Sequence, residues 1–381
     1  MKKFALVVLL VFASNLAAQD DDRVITTAVP FLNIAGDARA AGMGDMGVAT
    51  SFDAYSQQWN PSKYAFADRK SGVFAGYTPY LESVIKDIGL LSAGYFNKID
   101  DQSAFAVTLR YFTLGTIVLR QSIEDPGTEV KPNEFSFDGS YSLKLSPTFS
   151  MGVGGRYIRS QLRFPQEGNV ARAASGFAID VSGFYQSRER AYTSFDGRWR
   201  AGFNLANLGP KIRYDEGGQE NFLPTNLKFG LGFDFILDQD NRIGLTSEFN
   251  KLLVPTPQDF DNDGDIDGAD NDEYQSIGFF NGIFTSFGDS PDGFGEELKE
   301  FTWALGAEYV YQDSFMIRTG YFNESAEKGA RKFFTLGAGF KFNTAQIDLS
   351  YLFSTSKVQN PLEGSLRFSL AFNIGEEMFN D

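Results

Sequence analysis

The clearest candidate for chemistry is a run of aspartates between residues 259 and 270. Acidic loops with this spacing bind calcium, because the hard cation prefers a shell of carboxylate, carbonyl and water oxygens. Gly264 stands at the sixth position, where the calcium loop turns sharply, and Asp265 at the seventh position offers its main-chain carbonyl. The candidate metal ligands are Asp259, Asp261, Asp263, Asp265, Asp267 and Asp270.

The surroundings of this aspartate loop define what calcium would do there. Asp270 occupies the position where helix-flanked calcium loops carry a bidentate Glu. Residues 251–301 hold 13 Asp/Glu and only 2 Lys, and carboxylates at this density repel one another unless a cation neutralises them. The alternative is a solvated acidic loop without metal. If calcium binds, we expect a weak structural site that orders the loop.

A second pattern resembles a nucleotide site but lacks its context. Gly42, Gly44 and Gly47 match the spacing G-x-G-x-x-G. A dinucleotide site needs these glycines directly after an apolar strand and at the start of a helix, and no such strand precedes them. We therefore interpret the glycines as points of close backbone packing.

The composition excludes most catalytic and nucleic-acid-binding classes. The chain has no His and no Cys, which removes imidazole bases, serine triads, cysteine nucleophiles, disulfides and the usual zinc sites. The net charge of −15 opposes binding to the phosphate backbone. The sequence predicts that the protein is not an enzyme and has no nucleic-acid partner.

The first 18 residues have the features of a secretory signal. Lys2 and Lys3 give a positive start, residues 4–12 are apolar, and Leu16-Ala17-Ala18 offers a cleavage site before Gln19. The apolar stretch is shorter than the roughly 20 residues that span a bilayer as a helix. We predict an exported protein.

From about residue 70 onward, runs of about ten residues alternate apolar and polar side chains. In 226–236, for example, Leu227, Phe229 and Leu231 lie on one face and Lys228 and Gly230 on the other. The apolar faces are bulky and aromatic, and about 9–11 residues per strand suit a tilted strand that crosses a bilayer. We count about 14 runs, starting near residues 71, 88, 104, 134, 147, 175, 198, 226, 241, 302, 314, 332, 345 and 365. The prediction is an all-β fold, a transmembrane antiparallel β-barrel in the bacterial outer membrane.

The connections alternate between short turns and long loops, which is typical of outer-membrane barrels with periplasmic turns and external loops. Only 187–197 is longer than its place in this order predicts. The expected division is a signal peptide (1–18), an N-terminal hatch in the lumen (19–69), a barrel (70–375) with the long extracellular loop 251–301, and a periplasmic tail (376–381).

Charged residues at inward positions have two interpretations. They could line a channel, or they could pair across the interior and hold the hatch, and we favour pairing. The residues concerned are Arg156, Arg200, Asp234, Glu248, Glu308, Arg318, Asp348 and Arg367.

The predicted hatch carries a recognisable pattern. Residues 36–44 are rich in Gly and Ala, and Trp59-Asn60-Pro61-Ser62 follows. This resembles the hatch of the FadL fatty-acid transporter family, whose members are 14-stranded barrels, although Ser62 stands where Ala is expected. The resemblance marks Gly42, Gly44, Asn60 and Pro61 as hatch residues.

Within that superfamily the chain is most similar to the PorV (LptO) branch of the type IX secretion system. The similar segments are Val24–Leu32, Asp37–Arg39 with Gly42–Gly44, and Gln57–Pro61. The resemblance implies a shuttle that binds the C-terminal domain of secreted cargo at the SprA translocon and delivers it to the surface attachment complex. Membrane lipids would be the remaining partners. The alternative is a FadL-like channel for hydrophobic small molecules, and we expect acidic and polar external loops to weaken it.

Overall fold

The computed structural model describes residues 24–377 apart from 83–84, 86, 121, 123–124, 163–172, 215–217, 265 and 357–359. The predicted signal peptide and residues 378–381 lie outside the described residues. Among the described residues, no helix is long and apolar enough to cross a membrane.

Fourteen long strands form the wall. They are β1 (Arg69–Pro79), β2 (Ile88–Lys98), β3 (Ser103–Leu114), β4 (Asn133–Ser146), β5 (Phe149–Gln161), β6 (Ala174–Gln186), β7 (Asp196–Leu208), β8 (Asn226–Ile236), β9 (Asn241–Leu252), β10 (Thr302–Tyr311), β11 (Phe315–Asn323), β12 (Lys332–Phe342), β13 (Ala345–Ser354) and β14 (Leu366–Glu377). No predicted start differs from the observed one by more than two residues.

Each strand pairs antiparallel with its neighbour in sequence, and β14 pairs with β1. The sheet therefore closes into a barrel without a free edge, and the predicted 14-stranded fold is confirmed. β14 extends to Glu377, which pairs with Arg69, so the last strand runs two residues past the predicted end of the barrel at 375.

The two faces of the wall differ as the alternation predicts. Large apolar side chains such as Phe137, Leu231 and Phe342 are exposed on the outside. Polar residues between them, such as Ser136 and Asp234, are buried on the inside. A barrel whose outer face is apolar on every strand is stable in contact with lipid hydrocarbon. The protein is therefore an integral outer-membrane barrel.

Residues 24–68 lie inside the lumen and contain four short helical turns, namely Pro30–Asn33, α1 (Ala38–Ala41), α2 (Ser56–Trp59) and Pro61–Phe66. This segment starts at the end with long loops, where Ala28 N–H donates to the Phe222 carbonyl (2.8 Å), and reaches β1 at the end with short turns.

The long connections carry further elements. Short strand pairs occur at Ile117–Leu119 with Thr128–Val130 and at Ile212–Arg213 with Glu220–Asn221, and Ala326–Lys328 is a single helical turn. The segment between β9 and β10 contains α3 (Gly268–Ser276), α4 (Phe279–Thr285), α5 (Phe294–Glu297) and the turn Leu298–Glu300. The sequence predicted only a loop here, because these helices are too short to give a sustained helical periodicity.

Candidate functional site

The hatch backbone lies directly against the barrel wall. A Cβ added to Gly42 would lie 3.0 Å from Gly337 Cα, and one added to Gly320 would lie 2.0 Å from the Met43 carbonyl carbon. Gly44 adopts φ +82° and donates from its N–H to Thr335 Oγ1 (2.9 Å). Glycine is required on both sides of this contact because any side chain would separate hatch and wall.

Asn60 and Pro61 hold the other end of the hatch. The Asn60 amide donates to the carbonyls of Val48 (2.9 Å) and Gly183 (3.0 Å), so one side chain ties the hatch to itself and to β6. Its oxygen caps the turn that Pro61 opens, accepting from Ser62 N–H (3.2 Å). Asn60, Pro61 and Ser62 are all buried. The four predicted hatch residues therefore lie at hatch–wall contacts or within the hatch itself.

A chain of buried ion pairs joins the hatch to β10, β11 and β13. Arg39 of the hatch donates to Glu308 (2.9 Å) and to Asp53 (2.7 Å). Glu308 also pairs with Arg318 (2.8 Å), which reaches Asp348 (2.6 Å). Each charged side chain in this network lies next to one of opposite sign, so the ion pairs attract the hatch to the wall.

The other inward charged residues predicted from the sequence also form ion pairs or hydrogen bonds. Arg156 pairs with Asp138 and with Asp180, and Arg200 pairs with Asp234 (2.7 Å). Glu248 accepts from the N–H groups of Gly47 and Val48 (2.9 Å each), and Arg367 pairs with Asp45 (2.6 Å). All eight charges identified from the sequence thus take part in pairing or in holding the hatch.

Burial shifts the pKa values of two titratable hatch groups, Lys63, which lies 3.8 Å from an Asp53 carboxylate oxygen, and Asp37. Burial lowers the pKa of the Lys63 ammonium to about 8, and Lys63 Nζ donates to the Gly47 carbonyl (2.9 Å) and to Thr50 Oγ1 (3.0 Å). Burial, with Asp53 nearby, raises the pKa of Asp37 to about 6. Asp37 accepts from Trp59 Nε1 and from Ala40 N–H (2.7 Å each), so it caps α1.

The lumen next to the long loops is filled with apolar side chains of the hatch. Val29, Phe31 and Leu32 are buried and form one cluster with wall residues such as Leu90 and Ile158. Arg110 holds these hatch residues by donating hydrogen bonds to the carbonyls of Phe31, Leu32 and Ile34 (2.8–3.1 Å). The described cavities of about 410, 600 and 550 Å³ lie on the barrel wall.

The aspartate loop is only partly assembled for metal binding. Carboxylate oxygens of Asp259, Asp261 and Asp263 lie within 4.8 Å of one another. Asp267 instead caps α3, accepting from Ala269 N–H (2.8 Å). Asp270 accepts from the N–H groups of Phe260, Asp261 and Asp267. Asp265 lies outside the described residues.

The same segment carries an exposed aromatic surface that the sequence analysis missed. Phe280, Phe284 and Phe287 are 50–75% exposed, and Phe294 is 76% exposed. This loop is therefore acidic, as expected, but the expectation that it is polar throughout was wrong. The spacing 280, 284 and 287 places these side chains on one face of a helix, and this pattern was the available signal.

A buried cluster of opposite charges fixes the base of this segment. Lys251 pairs with Glu297 (2.7 Å) and Glu300 (2.6 Å), and Lys328 pairs with Glu296 (2.7 Å) and Glu300 (3.2 Å). Asp289 lies beside Glu297 and Glu300, and burial raises its pKa to about 6. The cluster holds α5 against the long-loop end of the barrel.

Comparison with known proteins places this architecture in a family. The model of the family "Type IX secretion system protein PorV" matches residues 17–259, which is 243 of 381 residues. The chain belongs to the PorV family. PorV-family membership and the closed barrel together identify an outer-membrane protein of type IX secretion. No curated protein sequence matches the chain.

Solved structures share the fold of this PorV-family barrel. The CymD monoaromatic hydrocarbon channel has a TM-score of 0.53 and 12% identity, covering 90% of this chain and 99% of that one. The toluene transporter TodX of P. putida has a TM-score of 0.50 and 10% identity, covering 91% and 100%. At these identities the likeness concerns the barrel architecture.

Proposed function

We propose that this protein is the outer-membrane shuttle of the type IX secretion system. It binds the C-terminal domain of secreted cargo at the SprA translocon and delivers the cargo to the surface attachment complex. The observation that carries the proposal, beyond family membership, is a plugged lumen combined with an exposed aromatic surface at the long-loop end. Exposed apolar patches on a folded protein mark sites that bind other proteins.

A FadL-like channel for hydrophobic small molecules is the second candidate, and it is favoured by the shared fold of the CymD channel and the TodX transporter. Such a channel needs an apolar binding space connected to the lumen. Here Val29, Phe31 and Leu32 occupy the apolar space below the long loops. The packing of the hatch therefore supports the shuttle over the channel.

The test is co-purification from mildly solubilised outer membranes, using a C-terminal tag. Recovery of a very large barrel protein, or of secreted proteins that share one C-terminal domain, supports the shuttle. The double variant Phe280→Ser/Phe284→Ser should lose these partners, whereas Val118→Ser, an exposed apolar residue on a different long loop, should retain them. Recovery of the barrel alone with bound fatty acid would contradict the shuttle and support the channel.

We also propose that calcium orders the aspartate loop. Asp259, Asp261 and Asp263 would hold the ion, which would supply the positive charge that this acidic segment lacks. We expect added CaCl₂ to slow proteolysis within 251–301 relative to EGTA. The variant Asp261→Asn should lose this protection and Asp272→Asn, on α3, should keep it; equal proteolysis of the unaltered protein in calcium and EGTA would contradict the site.

A further inference from the structure

The connection 187–197, the one departure from the order of short turns and long loops, folds back onto the lipid-facing side of the wall. Tyr192 stacks on Phe195 (ring centroids 5.0 Å apart) and contacts Phe233 (6.2 Å). Phe195 also contacts Phe235 (5.1 Å). Phe233 and Phe235 belong to the outward series of β8, so the connection covers part of the outer face at the short-turn end.

Gly197 leaves space for this arrangement. A Cβ there would lie 2.5 Å from Phe233 Cζ and 2.7 Å from Tyr192 Cε2. A side chain at this position would therefore displace the two rings from the start of β7. The space above Gly197 thus accommodates the aromatic cluster.

Arg190 lies at the lipid-facing edge of this cluster. It pairs with Gly197, and residues opposite each other in an antiparallel pair share a face. Gly197 belongs to the outward series that continues through Trp199. Arg188 and Arg190 are both exposed. Glu189 between them pairs with Arg198 (3.5 Å), and no described carboxylate forms an ion pair with Arg188 or Arg190.

A trough on the outer wall begins at the same cluster. This cavity of about 600 Å³ has Trp199 and Phe233 at its short-turn rim, and their ring centroids are 4.7 Å apart. Its lining includes the small outward residues Ser247, Ala307 and Thr319 between bulkier neighbours. Ala307 and Thr319 are paired across β10 and β11, so the depression crosses adjacent strands.

We propose that the 187–197 connection and this trough form a binding site for an anionic phospholipid of the inner leaflet. Arg190 contacts the phosphate, the ring cluster lies where hydrocarbon meets water, and an acyl chain fills the trough. The wall faces lipid, so hydrocarbon is the medium in contact with the trough, and a guanidinium complements a phosphate in charge and geometry. Short turns of outer-membrane barrels face the periplasm, which places Arg190 at the inner leaflet. The site is independent of cargo handling.

The test uses the full chain in detergent, titrated with phosphatidylglycerol and followed by native mass spectrometry. Arg190→Gln should weaken binding about fivefold, the effect of one cationic side chain at an anionic lipid surface. Arg213→Gln, an exposed arginine at the long-loop end, should leave binding unchanged. Ala307→Phe, which fills the trough from an outward position, should also weaken binding, and heat-modifiable migration in SDS gels verifies that each variant is folded.

Three results would overturn the proposal. The first is equal affinity of Arg190→Gln and Arg213→Gln for phosphatidylglycerol. The second is full competition by glycerol 3-phosphate, which would mean a free-phosphate site without an acyl chain. The third is a co-purifying protein that Ala307→Phe removes while lipid binding stays unchanged, because a protein partner would then cover the trough.

Discussion

Glu308 lies between two buried arginines, one from the hatch and one from the wall. Removing its charge leaves both guanidiniums with fewer counter-charges in a medium that solvates ions poorly. We expect Glu308→Gln to lower the free energy of unfolding by about 3 kcal/mol, at the low end for a broken buried pair. Denaturant unfolding of the detergent-solubilised barrel measures this. Glu327→Gln breaks an exposed pair with Lys299 and should change stability by less than about 1 kcal/mol; equal losses would contradict the network's role.

Asp289 makes the long-loop segment sensitive to pH. Its folded-state pKa of about 6 lies above the ordinary value of 3.8, because burial in the folded protein disfavours the ionised carboxylate. Stability of the segment therefore falls as pH rises through about 6 and is gained on acidification toward 4. We expect proteolysis within 251–301, with a protease whose activity is calibrated at each pH, to be slower at pH 5 than at pH 7.5.

The variant Asp289→Asn isolates this effect. It keeps an oxygen that can accept from Thr256 N–H, as Asp289 does now (2.9 Å), but it does not titrate. The difference between pH 5 and pH 7.5 should shrink in this variant and persist in Asp272→Asn. An unchanged pH dependence in Asp289→Asn would contradict the assignment of this effect to Asp289.

At the scale of elements, we expect the contact between the hatch and β11 to keep the lumen closed. A Cβ at Gly320 meets the Met43 carbonyl carbon at 2.0 Å, so Gly320→Val must displace the hatch. We expect open-channel events in planar bilayers for Gly320→Val and few for the unaltered protein. Gly139→Val is the matched control, because a Cβ there meets nothing within 4 Å; equal conductance of both variants would show that this contact does not close the lumen.

At the scale of the whole molecule, the barrel has two chemically different ends. The long-loop end carries the acidic segment and the exposed phenylalanines, and the short-turn end carries turns such as Asp238–Asp240. The chain has no cysteine, so one introduced cysteine reports its side of the membrane. A membrane-impermeant maleimide should label Asp272→Cys but not Asp240→Cys on intact cells, and the reverse pattern would invert the orientation.

The sequence by itself determined the wall of this protein. Successive side chains of a strand point to opposite faces, so the apolar–polar alternation indicates which residues face lipid and which face the lumen. This pattern can be read from neighbouring residues alone. Strand number, strand starts and the inward charges followed from it, and the pattern in the hatch indicated the family. The structure of the segment between β9 and β10 was harder to predict from the sequence, because its helices are short and their aromatic side chains are exposed.

Only the tertiary structure decided how the interior is arranged. Arg39 and Glu308 are 269 residues apart in the chain, and no local pattern states that they meet. The convergence of Asp259 with Asp261 and Asp263, but not with Asp270, depends on which N–H groups Asp270 accepts from. The docking of Tyr192 onto Phe233 depends on the space above Gly197. Each of these contacts is set by chain closure and packing between distant segments, which composition and periodicity do not encode.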